Sequence, residues 1–284
     1  MKFGVFGINT GPCATPEGCA RVARSAEDLG FDSVWTGEHV VLPDPREAPS
    51  PAPPQTPMLD PAVALTYAAA NTERISLATG IVILPQRNPL VLAKEMASVD
   101  VISNGRLILG VAAGYLHQEF SALGVPFEDR GARTDESIDV LRTLWTEPQP
   151  RHHGKFFSFD GIDAQPRPVQ QPHPPIVIGG HSRPALRRAV RRGNGWYGFA
   201  LNPDATAATL ARLSEARQQV DRPEALGELE VSITPPPGIG LDDAKRYADM
   251  GVDRLVLLAL ARDVDTLVAQ LEKAAEELLT RFGG

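Results

Sequence analysis

The chain has only two cysteines, Cys13 and Cys19, among 284 residues. Two cysteines cannot build a disulfide scaffold or a tetrahedral thiolate metal site. No apolar run reaches the length of a membrane span. The opening, Met1-Lys2-Phe3-Gly4-Val5-Phe6, runs straight into a strand pattern, with no charged region, apolar stretch and cleavage site ahead of it. These features predict a reduced, cytoplasmic protein. Basic runs are missing too, and 28 Lys and Arg against 35 Asp and Glu give a formal charge of −7. That argues against a nucleic-acid or anionic-membrane partner, because nothing neutralises phosphates. The local cluster Arg183, Arg187, Arg188, Arg191 and Arg192 lies on a helical pattern and reads as a solvated face. The six histidines form no H-E-x-x-H pair, so a metal site has no support. No G-x-S-x-G nucleophile motif occurs either.

What is present is a rhythm. Hydrophobic residues make up 43% and charged residues 22%, which fits a globular chain with a full core. Strand patterns are expected at 2–8, 33–36, 75–84, 107–112, 175–178, 196–200, 231–234 and 254–260. Helical patterns fall at 17–29, 61–71, 89–102, 133–145, 183–192, 205–220, 241–250 and 264–279. Strand–helix alternation implies a parallel sheet with helical crossovers. Eight such units in a chain of this length predict an α/β fold, a (β/α)8 TIM barrel, as one domain over residues 1–284. An open doubly wound sheet is the runner-up. Its G-x-G-x-x-G fingerprint is missing, since Gly4, Gly7 and Gly11 have other spacing.

Insertions are expected after strands 2 and 4. Pro43 to Pro57 holds seven prolines, so it is an extended loop and either a lid over the site or a plain surface loop. Gln149 to Pro175 carries Phe156, Phe157 and Phe159, whose burial requires it to pack on the body. Both stretches are expected to line the substrate pocket.

A barrel builds its site where the strands end. Asn9 and Thr10 follow the first strand. Glu38-His39 follows the second and pairs a carboxylate with an imidazole able to move a proton near neutral pH, or else merely a loop hydrogen bond. Thr79, Gly80 and Ile81 interrupt the third strand pattern. The fourth breaks into Ala113 and Gly114, followed by Tyr115, Gln118 and Glu119. Gly179, Gly180 and His181 form a glycine-rich junction into a helix, where free N–H groups can hold a phosphate. Tyr115 and Trp196 stack on a flat ring or fill the core.

In order along the chain stand Ala26 to Trp35 with Gly37-Glu38-His39, then Ala78-Thr79-Gly80-Ile81-Val82-Ile83-Leu84-Pro85. Lys94 to Asp100, Ser103-Asn104-Gly105-Arg106-Leu107, Gly124-Val125-Pro126-Phe127, Arg130 to Arg133 and Pro174 to Gly180 follow. This succession resembles the luciferase-like monooxygenase superfamily, and within it the branch of coenzyme F420-dependent oxidoreductases. The resemblance implies a TIM barrel, usually dimeric, that binds F420 or FMN at the strand carboxyl ends and acts on a small molecule. It implies His39 and Glu38 as catalytic residues. It also implies Thr79, Gly80, Ile81, Ala113, Gly114, Tyr115, Gln118, Gly179, Gly180 and His181 around the cofactor. Gly80-Ile81 matches the family's bulge, often a cis peptide, and Gly179-Gly180 the loop whose amides meet the cofactor phosphate. The similar F420-dependent sugar-phosphate dehydrogenases carry an acid where Tyr115 stands and a Trp near Pro43, so their substrate does not transfer. An FMN-dependent monooxygenase is the rival on the same fold, and a non-catalytic cofactor binder the rival of another class. A metal-dependent hydrolase on such a barrel lacks the ligand clusters it needs.

Overall fold

Five helices begin alike. The side chains of Thr15, Asp60, Asn88, Ser182 and Asn202 each accept a first-turn N–H, and a proline follows within two residues. The cap satisfies an orphan donor, and proline has none to lose there. In the computed structural model, residues 1–258 and 260–282 are described. The capped helices are α1 (Pro16–Asp28), α2 (Pro61–Ala69), α3 (Pro89–Ile102), α6 (Arg183–Arg192) and α7 (Pro203–Gln219). Beside them lie α4 (His117–Ala122), α5 (Arg130–Thr146), α8 (Leu241–Asp249) and α9 (Val264–Ala274).

The barrel strands are β1 (Lys2–Phe6), β2 (Ser33–Thr36), β3 (Ser76–Thr79) and β4 (Leu107–Ala112), then β5 (Ile176–Gly179), β6 (Gly195–Phe199), β7 (Glu230–Thr234) and β8 (Arg254–Leu258). Each pairs in parallel with the next. β8 returns to β1 with Lys2 opposite Arg254. The ring is closed, and the fold is a (β/α)8 TIM barrel.

Two apolar layers hold it. The larger lies between strands and helices and includes Val34, Leu77, Met96 and Leu141. The smaller fills the barrel, where Trp35 stacks on Tyr197 with ring centroids 5.0 Å apart, beside Ala78, Val177 and Val256. Gly4 makes room for that indole, since a Cβ there would stand 2.9 Å from Trp35 Nε1. Buried Arg254 bridges Asp32 and Glu230.

Three strand expectations change. The pattern at 75–84 is not one strand: β3 stops at Thr79, the Gly80-Ile81 peptide is cis, and Val82–Ile83 resumes pairing with β4. β1 ends at Phe6 because Gly7 turns with φ +98. β8 ends at Leu258, and Ala259 in the expected strand lies outside the described residues. The arginine cluster is also only partly a solvated face. Arg188 is buried against Asp135 at 2.7 Å and Arg192 pairs with Asp139, tying α6 to α5.

The stretch at 149–175 does pack on the body, against α5 and α3. It forms a short hairpin, His152–His153 with Ser158–Phe159. Glu136 of α5 accepts the N–H groups of Lys155, Phe156 and Phe157 at 2.8–3.0 Å. Asp100 of α3 accepts those of Val169 and Gln170. Phe157 and Phe159 pack against the larger core layer.

Candidate active site

The carboxyl end of the barrel gathers residues from four strand exits. His39 follows β2. Its Nδ1 lies 3.2 Å from Glu119 Oε2, and its Nε2 lies 3.4 Å from the Tyr115 hydroxyl. The other Glu119 oxygen accepts the Val40 N–H at 2.7 Å. Glu119 is 1% exposed and Tyr115 46%. Burial pushes the Glu119 carboxyl up, but its hydrogen bond to His39, the attraction of that ring whenever it is protonated, and the Val40 amide outweigh this and hold it below the usual carboxylate range. Burial, and then the Glu119 charge, raise the Tyr115 phenol. Gly114 sets the angle of approach. It sits at φ +77, and a Cβ there would stand 2.6 Å from Ile83 Cγ2.

Glu38 is not beside His39 in this chemistry. Its carboxylate accepts from the Ile83 N–H and from Arg87, whose Nε is 2.8 Å away. Burial pushes Glu38 up against the pull of Arg87. Arg87 also reaches Asp60, the cap of α2, at 2.6 Å. Glu38 therefore joins the β2 exit to the segment behind the cis peptide, and touches no open surface. Arg87 was not expected at all; nothing near it in sequence marks it as the partner of Glu38.

The third exit presents Ile81, half-buried, with its side chain across the ends of β4 and β5. A Cβ on Gly179 would come within 2.9 Å of Ile81 Cγ2, so a glycine is needed for Ile81 to lie there. Thr79, expected near the cofactor, is fully buried, and its hydroxyl donates to Gly110 O at 2.7 Å. That hydroxyl is used inside the barrel wall. Ala113 stands half-buried between β4 and Gly114. Gln118 donates to Glu47 of the proline-rich loop at 2.9 Å.

At the fourth exit, Gly180 has φ +111, but its N–H is already given to Tyr197 O at 3.3 Å. It is therefore not a free phosphate donor. Among the described residues, no hydrogen bond occupies the N–H of His181 or Ser182, which open α6. The His181 ring accepts the Phe199 N–H at 3.1 Å through Nε2, and burial, then Arg212, lowers its pKa. Trp196 resolves into core and donates to Gly180 O at 2.9 Å. Phe199 is exposed at the mouth, 5.1 Å from the Phe6 ring.

The proline-rich loop is stitched at its root. Buried Asn9 donates to Gly37 O at 2.8 Å and Leu59 O at 2.7 Å, and its oxygen accepts the Gly37 N–H. Thr10 bridges to Met58. The sequence marked Asn9 only as a strand exit. A groove of about 410 Å³ between α1 and α2, lined by Glu17, Arg21, Arg24 and Tyr67 among others, lies on the flank and includes none of these residues.

The sequence profile of the luciferase-like monooxygenase family matches residues 1–281. The chain belongs to that family. Its members are oxidoreductases or monooxygenases. Among relatives, an uncharacterized protein of Mycobacterium tuberculosis is 29% identical over 98% of this chain and 99% of its own length. The oxygenase component of a flavin-dependent trigonelline monooxygenase of Acinetobacter baylyi is 32% identical, over 61% of this chain and 45% of that protein. The coenzyme F420-dependent tetrahydromethanopterin reductase of Methanopyrus kandleri has the same fold, with TM-score 0.78 and 18% identity over 99% of both chains. In this luciferase-like chain, the four exits described above lie where a TIM barrel carries its chemistry.

Proposed function

We propose that this protein is an F420-dependent oxidoreductase acting on a small organic molecule, with FMN as the alternative cofactor. The observation that carries the reading is the mouth itself. A hydrogen-bonded His39–Tyr115 pair stands at the same barrel end as the apolar, accessible surfaces of Ile81 and Phe199. Such surfaces suit a flat ring, and the N–H groups of His181 and Ser182 at the start of α6 suit a phosphate. When bound, the cofactor supplies the hydride chemistry. His39 orients the ring or holds a proton, Ile81 backs the ring, and the turn at Gly179-Gly180 shapes the phosphate end. Glu38 acts one step removed, by fixing the segment that carries Ile81.

F420 is preferred on the order of motifs from Gly37-Glu38-His39 to Gly179-Gly180. The partial likeness to a flavin-dependent monooxygenase favours FMN as the second reading. Titrating the purified protein with F420 and with FMN, read by cofactor fluorescence, tests both. Tight binding of F420 alone is expected. Binding of FMN alone, with oxygen uptake by the reduced complex, favours the second reading; binding of neither overturns both. The whole chain is proposed to work as one unit, in the cytoplasm and as a homodimer. The exposed apolar residues Val63 and Tyr67 of α2 and Val91 and Ile102 of α3 would form the dimer contact.

A further inference from the structure

We propose that Glu119, His39 and Tyr115 form a proton relay ending at the Tyr115 hydroxyl, which meets a hydroxyl or carbonyl oxygen of the substrate. Glu119 is a positioning residue, acting through His39. The proposal rests on the oxidoreductase reading above and assigns the acid–base path within it.

The direction of each hydrogen bond follows from what each atom can do. An ionised carboxylate only accepts. His39 Nδ1, 3.2 Å from Glu119 Oε2, is therefore the ring nitrogen that carries the proton. In the neutral ring Nε2 is then the acceptor, and the Tyr115 hydroxyl at 3.4 Å donates to it. The carboxylate cannot swing away, because its second oxygen holds the Val40 N–H at 2.7 Å. Exposure rises along the path, from the buried carboxylate through the nearly covered imidazole to the half-open phenol. Of the three, the Tyr115 phenol is the group most open to a substrate.

In the oxidising direction a substrate hydroxyl gives its proton to the Tyr115 oxygen while the phenol proton passes to His39 Nε2. The product of the relay is an imidazolium hydrogen-bonded to the Glu119 carboxylate. In the reducing direction the same two transfers run backwards and deliver one proton to a carbonyl oxygen. Net, one proton is passed between substrate and His39 by these two transfers; as the substrate C–O bond becomes C=O, the hydride on its carbon would pass to the oxidised deazaflavin or flavin, and the reverse holds for reduction.

Glu119→Gln is a sharp probe. The Val40 N–H requires an acceptor, so it takes the glutamine oxygen. The amide NH2 then faces His39 Nδ1, which must become an acceptor. Nitrogen-15 NMR of histidine-labelled protein without cofactor should show the Nδ1–H form of His39 in the wild type and the Nε2–H form in E119Q. Tyr115→Phe should keep the wild-type form. In cofactor-loaded protein, Y115F should lower kcat by about a hundredfold or more, with KM and cofactor affinity within about twofold. Retention of Nδ1–H in E119Q, or of kcat in Y115F, overturns the relay. Should E119Q not fold, Y115F, altered only at an exposed hydroxyl, decides alone. Failure to bind either cofactor overturns the function instead, and leaves the tautomer result readable.

Discussion

His39 and Glu119 are 80 positions apart in the chain, yet His39 Nδ1 rests 3.2 Å from Glu119 Oε2. The contact joins the exit of β2 to the helix that follows β4. It also makes Glu119 a sensor of acid. A carboxyl held below its ordinary value in the fold contributes stability that is present above its unfolded value. That stability is lost as the pH falls through the folded one. Urea unfolding of the wild type should therefore weaken progressively below about pH 5, and E119Q should weaken less steeply over the same window. Parallel curves would remove Glu119 from the acid response.

Arg87 and Glu38 form a second test. Glu38 is buried, and Arg87 supplies its only side-chain cation among the described residues. Removing one partner of a buried pair leaves a charge without compensation, which costs about 3–5 kcal/mol. Arg87→Met should lose that much in denaturant unfolding. Arg87→Lys keeps the charge but not the two-pronged contact, and should lose less. A loss below about 1 kcal/mol for Arg87→Met would show that the pair behaves like an exposed one.

The barrel was legible because its signals are local. Alternating strand and helix patterns, and polar caps such as Asp60 and Asn88 placed before proline, need no distant partner. The site was legible only as a set of strand exits. Glu38 and His39 are adjacent in sequence, but neighbours along an extended chain point opposite ways, and Glu38 turns to Arg87 instead. No local pattern announces that Glu119 will face His39. Nor does one show that Thr79 spends its hydroxyl on Gly110, or that Arg188 turns inward to Asp135. These are long-range pairings, fixed only when the ring closes.

Gly114 tests how the mouth is aimed. Its φ of +77 suits glycine, and a Cβ would stand 2.6 Å from Ile83 Cγ2 and 2.8 Å from Phe120 Cε2. Gly114→Ala should destabilise the protein by about 1–3 kcal/mol. It should also displace Tyr115, the next residue, from His39. Unfolding midpoints and the crystal structure of the variant would check both. An unchanged Tyr115 position at full stability would show that the backbone adapts without help from the glycine.

The proposed homodimer would meet through the outer face of α2 and α3. Val63 is 62% exposed and Ile102 57%, with Tyr67 and Val91 exposed beside them. Val63 and Tyr67 share a face of α2, being about one turn apart. Val91 and Ile102 share a face of α3, about three turns apart. α2 packs along α3. A two-fold axis over this face would bury each apolar patch against its own copy. Light scattering on the eluting protein should give the mass of a dimer. Val63→Lys with Val91→Lys places like charges in the contact without touching the mouth, and should give a monomer that still binds cofactor. A wild-type monomer, or a double variant that remains dimeric, would show that this face is not where two copies meet.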